Sequence, residues 1–375
     1  MLNLPVGGVA SQILELLPAY EKIQNLKIFL ITKYSEYFPT TNNIKVIRIH
    51  KFRNRKIDEI YFFFQSFVKI LQIHQKEQIH AINIHTYYYN LINPFILRIL
   101  YKIPLLITTP GDFTTHQREQ FMLKPQSLSV KMFYYGWIKF FKKILIKRKR
   151  VFIQAINEKI YKSFINLGFL KKNIRKIPNG ISCNNYNDIN GPRGKDIHFG
   201  YVGRLIKSKN IRFLLKSFKQ YLSDHPNDKL FLFGKGPEEK VILTFIKKNN
   251  LGKSIIFCGF EKNKKKIYSK INVLIHPTFG EGVPMTILEA ILTNTFIIAS
   301  NVSGINDIIE HKKTGLLFNP FNTDDLIKQL IFFKENKDLV ESMKYEARRK
   351  ILQYYDIDVI SKQIYEFLNS RLSFK

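Results

Sequence analysis

Phe279-Gly280-Glu281-Gly282-Val283-Pro284-Met285-Thr286-Ile287-Leu288-Glu289-Ala290 holds two carboxylates eight positions apart, directly after the apolar run Asn272-Val273-Leu274-Ile275-His276. The run reads as a buried strand. Gly280 and Gly282 let the backbone turn tightly around Glu281, and Pro284 suits the first turn of a helix. Glu281 is therefore expected on a loop at a strand's C-terminal end, with Glu289 about one and a half turns into the helix that follows. A helix N-terminus in that place offers free N–H groups and a positive dipole end to an anion. Carboxylates beside it suit hydroxyls instead. The combination predicts a site for a sugar attached to a phosphate.

Outward from this stretch, strand-like runs alternate with helical patterns, which predicts an α/β chain with parallel sheets. In the first half the expected strands are Lys27–Thr32, Lys45–His50, Ala81–His85, Leu105–Thr109, Val151–Ala155 and Ile174–Ile177, with helices over Ser11–Tyr20, Glu59–Gln75 and Asn157–Leu167. A polar stretch, Ser182 to Asp196, marks the expected domain boundary. The pattern then restarts with strands at His198–Val202, Lys229–Phe233, Ser254–Cys258, Val273–His276 and Phe296–Ala299, and helices at Asn210–Tyr221 and Glu238–Asn249. Two doubly wound domains in tandem bind ligands beyond their strand C-termini, so the expected site is the cleft between them.

The chain has 375 residues, 45% of them hydrophobic, which suffices for two cores. The apolar stretch Leu91 to Ile107 is broken by Pro94, Arg98, Lys102 and Pro104 and cannot span a bilayer. Met1 to Val9 lacks the basic start and apolar run of a secretory signal. Two cysteines, Cys183 and Cys258, make a disulfide framework implausible, so a reducing cytoplasm is expected. The net charge of +31 has two readings: A/T-rich codon usage, or a surface suited to anionic partners. Residues 1–190 carry 29 Lys and Arg against 10 Asp and Glu, so the excess concentrates in the first half.

Other motifs fall at strand ends. Val202-Gly203-Arg204 through Lys209 sets two cations where a crevice would open, suited to a diphosphate leaving group. Phe233-Gly234-Lys235-Gly236-Pro237 and the N-terminal Gly7-Gly8 loop are glycine turns, each weak alone. Taken in order with Ile177-Pro178-Asn179-Gly180-Ile181, the Glu281/Glu289 pair, Ser303-Gly304-Ile305-x-Asp307 and Gly315-Leu316-Leu317-Phe318, they resemble the retaining glycosyltransferases of family four. The resemblance runs from about residue 4 to the end and is dense over 174–320.

That resemblance implies a GT-B fold: α/β, two Rossmann-like doubly wound domains facing each other across a cleft. Residues 1–181 would be the acceptor domain, 182–345 the donor domain, and 346–375 C-terminal helices crossing back to the first domain. It implies catalytic roles for Glu281, Arg204 and Lys209, the cations on the donor diphosphate and Glu281 on the hydroxyls of the transferred sugar. Glu289 would hold the donor ribose. Gly8, Gly203, Gly234, Gly282, Val283, Met285 and Thr286 would line the donor, with Gly259 and Phe260 near its base. Asp112, His116 and His276 are candidate sugar contacts, and His85 ends a strand on the same side. The donor would be a UDP- or GDP-sugar, the acceptor a saccharide or polyprenyl-linked sugar in polysaccharide or glycolipid synthesis, with no metal and no other cofactor. No HxxxH, DxD or Cys/His cluster suggests a metal site.

Two departures from the family stand out. Only Met1 to Leu4 precede the glycine loop, so the first strand is expected to be short or missing, which leaves activity of the chain as written open. Thr108-Thr109-Pro110-Gly111-Asp112-Phe113 lacks the histidine that many members carry.

From Gln120 to Asn157 there is no acidic residue, and Ser127 to Arg150 reads as a basic, aromatic amphipathic helix. Such a helix suits either an anionic membrane surface, as on the inner face of a cell membrane, or a packed core with a basic outer face. Two other readings compete. A GT-B sugar-nucleotide epimerase fits the Arg204/Lys209 and Glu281/Glu289 set less well. A nucleic-acid-binding protein would explain the charge but not the carboxylates, and no recognition motif of that kind is present.

Overall fold

The computed structural model describes residues 8–32, 40–50, 55–85, 96, 99–109, 150–186, 189, 191–192 and 196–372. The chain divides into two compact units, one of Met1–Gly180 with Ile357–Lys375 and one of Ile181–Asp356.

The described part of the first unit opens with α1 (Gly8–Glu21), followed by a parallel pair, β1 (Ile28–Thr32) and β2 (Ile44–Arg48). Then come α2 (Arg55–Glu77), β3 (Ile82–Ile84), β4 (Leu105–Thr109), β5 (Val151–Ala155), α3 (Glu158–Asn166) and β6 (Ile174–Lys176). Strands β3 to β6 form a parallel four-stranded sheet in sequence order. Asn157 caps α3 by accepting the Ile160 N–H at 2.9 Å, as its side chain suits. Helix α1 begins at Gly8, so that glycine is helical and not part of a loop; Gly7 lies outside the described residues. So do the segment before it, Asp112, His116 and the expected basic helix up to residue 149.

The second unit is one six-stranded parallel sheet. Its elements are β7 (His198–Val202), α4 (Ile211–Tyr221), β8 (Lys229–Phe233), α5 (Glu239–Lys248), β9 (Ile255–Gly259), α6 (Lys264–Tyr268), β10 (Val273–His276), α7 (Met285–Leu292), β11 (Phe296–Ser300) and β12 (Leu316–Phe318). Helices α8 (Thr323–Glu335) and α9 (Lys337–Tyr354) complete it. The strand order is β12-β11-β10-β7-β8-β9, doubly wound outward from β7 and β10. Phe199, Tyr201, Leu214, Phe218, Leu232, Ile275, Ile298 and Leu326 fill the core. Such a sheet is covered on both faces, which is why its strands read as unbroken apolar runs.

The expected break at 345/346 falls inside α9. Val340 and Met343 of that helix belong to the core of the second unit, so the helix cannot be divided there. The chain leaves the second unit only after Asp356. Helix α10 (Ile357–Leu372) then packs Ile357, Ile360, Ile364 and Phe367 with Leu16, Ala19, Leu106 and Phe152 of the first unit.

Candidate active site

Strand β10 lies between β11 and β7, and all four of its residues are buried. It can only deliver its end to the centre of the sheet's C-terminal edge. Beyond His276 the chain is stapled to the loop after β7. Ser208 O accepts the Phe279 N–H at 3.1 Å and lies 3.2 Å from Thr278 Oγ1. From the other side comes the Ser303-Gly304 turn: a Cβ on Gly304 would stand 2.3 Å from Glu281 O and 2.4 Å from Gly282 O, at a φ of +87°. Only glycine allows that approach. The Ser303-Gly304-Ile305 motif thus buttresses the loop that carries Glu281.

Glu281 is clamped rather than solvated. Its Oε1 pairs with Lys209 Nζ and lies 2.9 Å from His276 Nε2. Lys209 and Glu281 side chains are only 13% and 14% exposed, and His276 is 2% exposed. Burial, and after it the charge of Arg204, brings the Lys209 ammonium down to about 7 even with the carboxylate against it. Burial, and after it the Lys209 charge, holds His276 well below the usual imidazole range, so its ring is neutral. A carboxylate only accepts, so the proton sits on Nε2.

Glu289 has a parallel arrangement. Pro284 is the N-cap of α7 and Met285 its first residue, so Glu289 is the fifth helical residue. Its Oε2 accepts from Tyr268 Oη at 2.8 Å and from Lys264 Nζ at 2.8 Å. Lys264 and Tyr268 are four apart on α6 and so share a face. Tyr268 is fully buried, and the same hydroxyl lies 3.1 Å from Thr286 O. Among the described residues Glu289 Oε1 makes no hydrogen bond.

The other predicted residues of this unit lie at its strand ends, on the same loop and at the start of α7. Arg204 is exposed, and its guanidinium makes no ion pair among the described residues, while its carbonyl accepts from Tyr201 Oη at 2.8 Å. Gly234 serves packing: a Cβ there would lie 1.8 Å from Gly203 O. The peptide after β7 therefore rests on the turn after β8. Gly282, Met285 and Thr286 are half-buried and Val283 buried. Phe260, just past Gly259, is exposed, with Lys235 Nζ 4.8 Å from its ring centre.

Lys209, Glu281 and His276 thus come together, and Glu289 is joined by residues that the sequence reading missed. His276, a candidate sugar contact, is buried against Glu281. Lys209, whose expected partner is the donor diphosphate, meets Glu281 in the ligand-free chain. Lys264 and Tyr268 carried one signal, their spacing of four after Asn263, a good capping residue whose side chain accepts the Lys266 N–H. His85 is half-buried at the end of β3 in the first unit.

A rigid loop carrying one clamped carboxylate, a helix with a second, and an unpaired arginine on the adjoining turn can hold hydroxyls and an anion at once. Residues 184–350 match the family described as Glycosyl transferases group 1, and residues 6–185 match Glycosyltransferase Family 4. An uncharacterized glycosyltransferase of Methanocaldococcus jannaschii is 28% identical over 172 residues, 42% of this chain and 41% of that protein. The UDP-Gal:alpha-D-GlcNAc-diphosphoundecaprenol alpha-1,3-galactosyltransferase of Escherichia coli is 25% identical over 201 residues, 49% of this chain and 51% of that protein. The chain thus spans about half or less of the length of these curated relatives. The crystal structure of Anabaena HepE in complex with UDP-glucose superposes with a TM-score of 0.73 at 16% identity, covering 97% of this chain and 96% of that one, which shows a shared fold. That fold is GT-B. The two family matches together run from residue 6 to residue 350, and the chain belongs to glycosyltransferase family 4.

Proposed function

We propose that the protein transfers a sugar, with retained anomeric configuration, from a nucleoside-diphosphate sugar to a saccharide or polyprenyl-linked acceptor in cell-surface polysaccharide or glycolipid synthesis. The observation that carries this reading is the Lys209–Glu281–His276 contact on the loop before the helix that bears Glu289. Two similar proteins support the donor class, because HepE was crystallised with UDP-glucose and the E. coli relative is named for UDP-Gal.

In this mechanism the donor diphosphate draws Lys209 away from Glu281 and takes a second cation from Arg204. The released carboxylate then accepts hydroxyls of the sugar, and Glu289 Oε1 accepts from the ribose. As the anomeric C–O bond to the diphosphate breaks, the acceptor hydroxyl bonds to the same face of the sugar and its proton passes to the departing phosphate oxygen. Charge gathering on that oxygen is met by Arg204, Lys209 and the N-terminus of α7, with no divalent ion required. Such preorganised charge is worth about 2.7–4 kcal/mol per donor removed. The enzyme works in the cytoplasm, held at the inner membrane face by the basic segment 127–150, whose net positive charge suits anionic lipid.

The test is thermal unfolding with millimolar UDP, GDP or ADP, in the wild type and in Glu289→Ala. A nucleotide at about 100 times its Kd stabilises by roughly 2.7 kcal/mol. A shift with one nucleotide that the variant loses supports the reading. Cooperative unfolding that no nucleotide shifts would refute it.

A further inference from the structure

We propose that His276 is a positioning residue, placed in the core to fix the direction of the Glu281 carboxylate. The proposal rests on the reading of Glu281 as the group that holds the transferred sugar. His276 is the last residue of β10 and pairs with Ala299 of β11, while Val273 and Leu274 of the same strand pair with β7, so the strand that carries it is held on both sides. Its Nε2 meets Glu281 Oε1 at 2.9 Å. Its other nitrogen, Nδ1, is buried and has no hydrogen-bond partner among the described residues.

That second fact separates positioning from packing. A buried acceptor with no partner is destabilising, because its lost hydration is not replaced. A leucine in the same place would fill similar volume at no such cost. The polar ring therefore weakens the core, and the one polar contact it gains among the described residues is Glu281. Lys209 cannot supply the same constraint, because its ammonium ends a flexible four-carbon stem and the donor diphosphate competes for it. When Lys209 leaves, His276 stays.

The variants His276→Gln, His276→Asn and His276→Leu test this. Glutamine carries an N–H near the place of Nε2, asparagine only near that of Nδ1, and leucine none. The readouts are UDP release from UDP-glucose, UDP affinity by calorimetry and the unfolding midpoint. His276→Leu is expected to unfold at or above the wild-type midpoint, yet to lose about 100-fold in kcat, the scale of a misplacement near 1 Å. His276→Asn should lose as much, His276→Gln should stay within about threefold, and UDP affinity should hold in all three. Wild-type kcat in the leucine or asparagine variant, equal loss in glutamine and asparagine variants, or loss of UDP affinity in step with kcat would overturn it.

Nitrogen-15 spectra of histidine-labelled protein decide the contact even if UDP-glucose is not turned over. The signal missing from His276→Gln should report a neutral ring protonated at Nε2, and it should move in Glu281→Gln. The opposite tautomer, a charged ring or an unmoved signal overturns the proposal. Failure of the wild type to bind UDP would instead count against the donor reading.

Discussion

Tyr268 donates its hydroxyl to Glu289 Oε2 across 2.8 Å, from a ring with no exposed surface. Burial, and next the Glu289 charge, pushes the phenol well above its usual range, so it stays a donor at any working pH. Tyr268→Phe removes a hydrogen bond to a charged, buried partner, worth about 1.5–3 kcal/mol. The expected result is a midpoint lower by several degrees and weaker UDP binding, since Glu289 loses its rigid donor. Lys264→Met should do less, because Lys264 is the more exposed partner. Thermal unfolding and calorimetry with UDP check both.

The lowered Lys209 gives binding a pH signature. In the folded, ligand-free chain the ammonium loses its proton near 7, whereas a diphosphate beside it restores the proton. UDP binding above that pH therefore takes up a proton, and affinity should fall with rising pH by up to about tenfold per unit. Calorimetry in buffers of different ionisation heat reads the uptake, and Lys209→Met should abolish it. Stability moves the other way. Between about 7 and the usual lysine range the unfolded chain binds a proton that the folded chain lacks, so this group's contribution rises with pH there and is at its constant minimum below 7.

Gly304→Ala should injure the site without touching a ligand. The added methyl meets the carbonyls of Glu281 and Gly282 inside 2.5 Å and sits at a φ of +87°. Strain of this kind costs about 1–3 kcal/mol. Either the fold yields or the loop withdraws, and in the second case His276 and Glu281 part. A lower midpoint together with weaker UDP binding is the expected outcome, and unaltered binding would show that the loop has another support.

Much of the second unit was legible because its strands are covered on both faces. His198–Val202, Lys229–Phe233 and Val273–His276 begin and end where the apolar runs do. Strand β12, three residues long, was visible only as the Gly315-to-Phe318 motif. Helix α6 was hidden in a run of lysines, since five residues are too few for an apolar period to declare itself. The two carboxylates could be placed on loop and helix from glycine and proline spacing. Their partners could not: Lys209 and Glu281 are 72 positions apart, and no local pattern says that a cation at one strand end meets an acid at another. For His276 the residue type was noticed and its direction was not, because side-chain direction follows from packing that a linear pattern does not contain.

The basic segment invites a direct test in full-length protein. Replacing Lys142, Lys143 and Lys147 to Arg150 by Gln or Ser should abolish sedimentation with anionic phosphatidylserine vesicles, and raised salt should do the same to the wild type. Unchanged sedimentation of the variant would remove the membrane from the picture.

Ile181 and Asp356, the first and last residues of the second unit, lie paired as a parallel bridge, and the Ile181 N–H donates to Tyr355 O at 2.9 Å. The second unit is thus an insertion whose entrance and exit are bonded to each other. A single cut of the chain at Gly180 would not set it free, because the other crossing still tethers it. Conversely, residues 181–356 form one uninterrupted cassette with both ends at a single point, the geometry that lets nature or an engineer lift such a body out of one host and splice it into another.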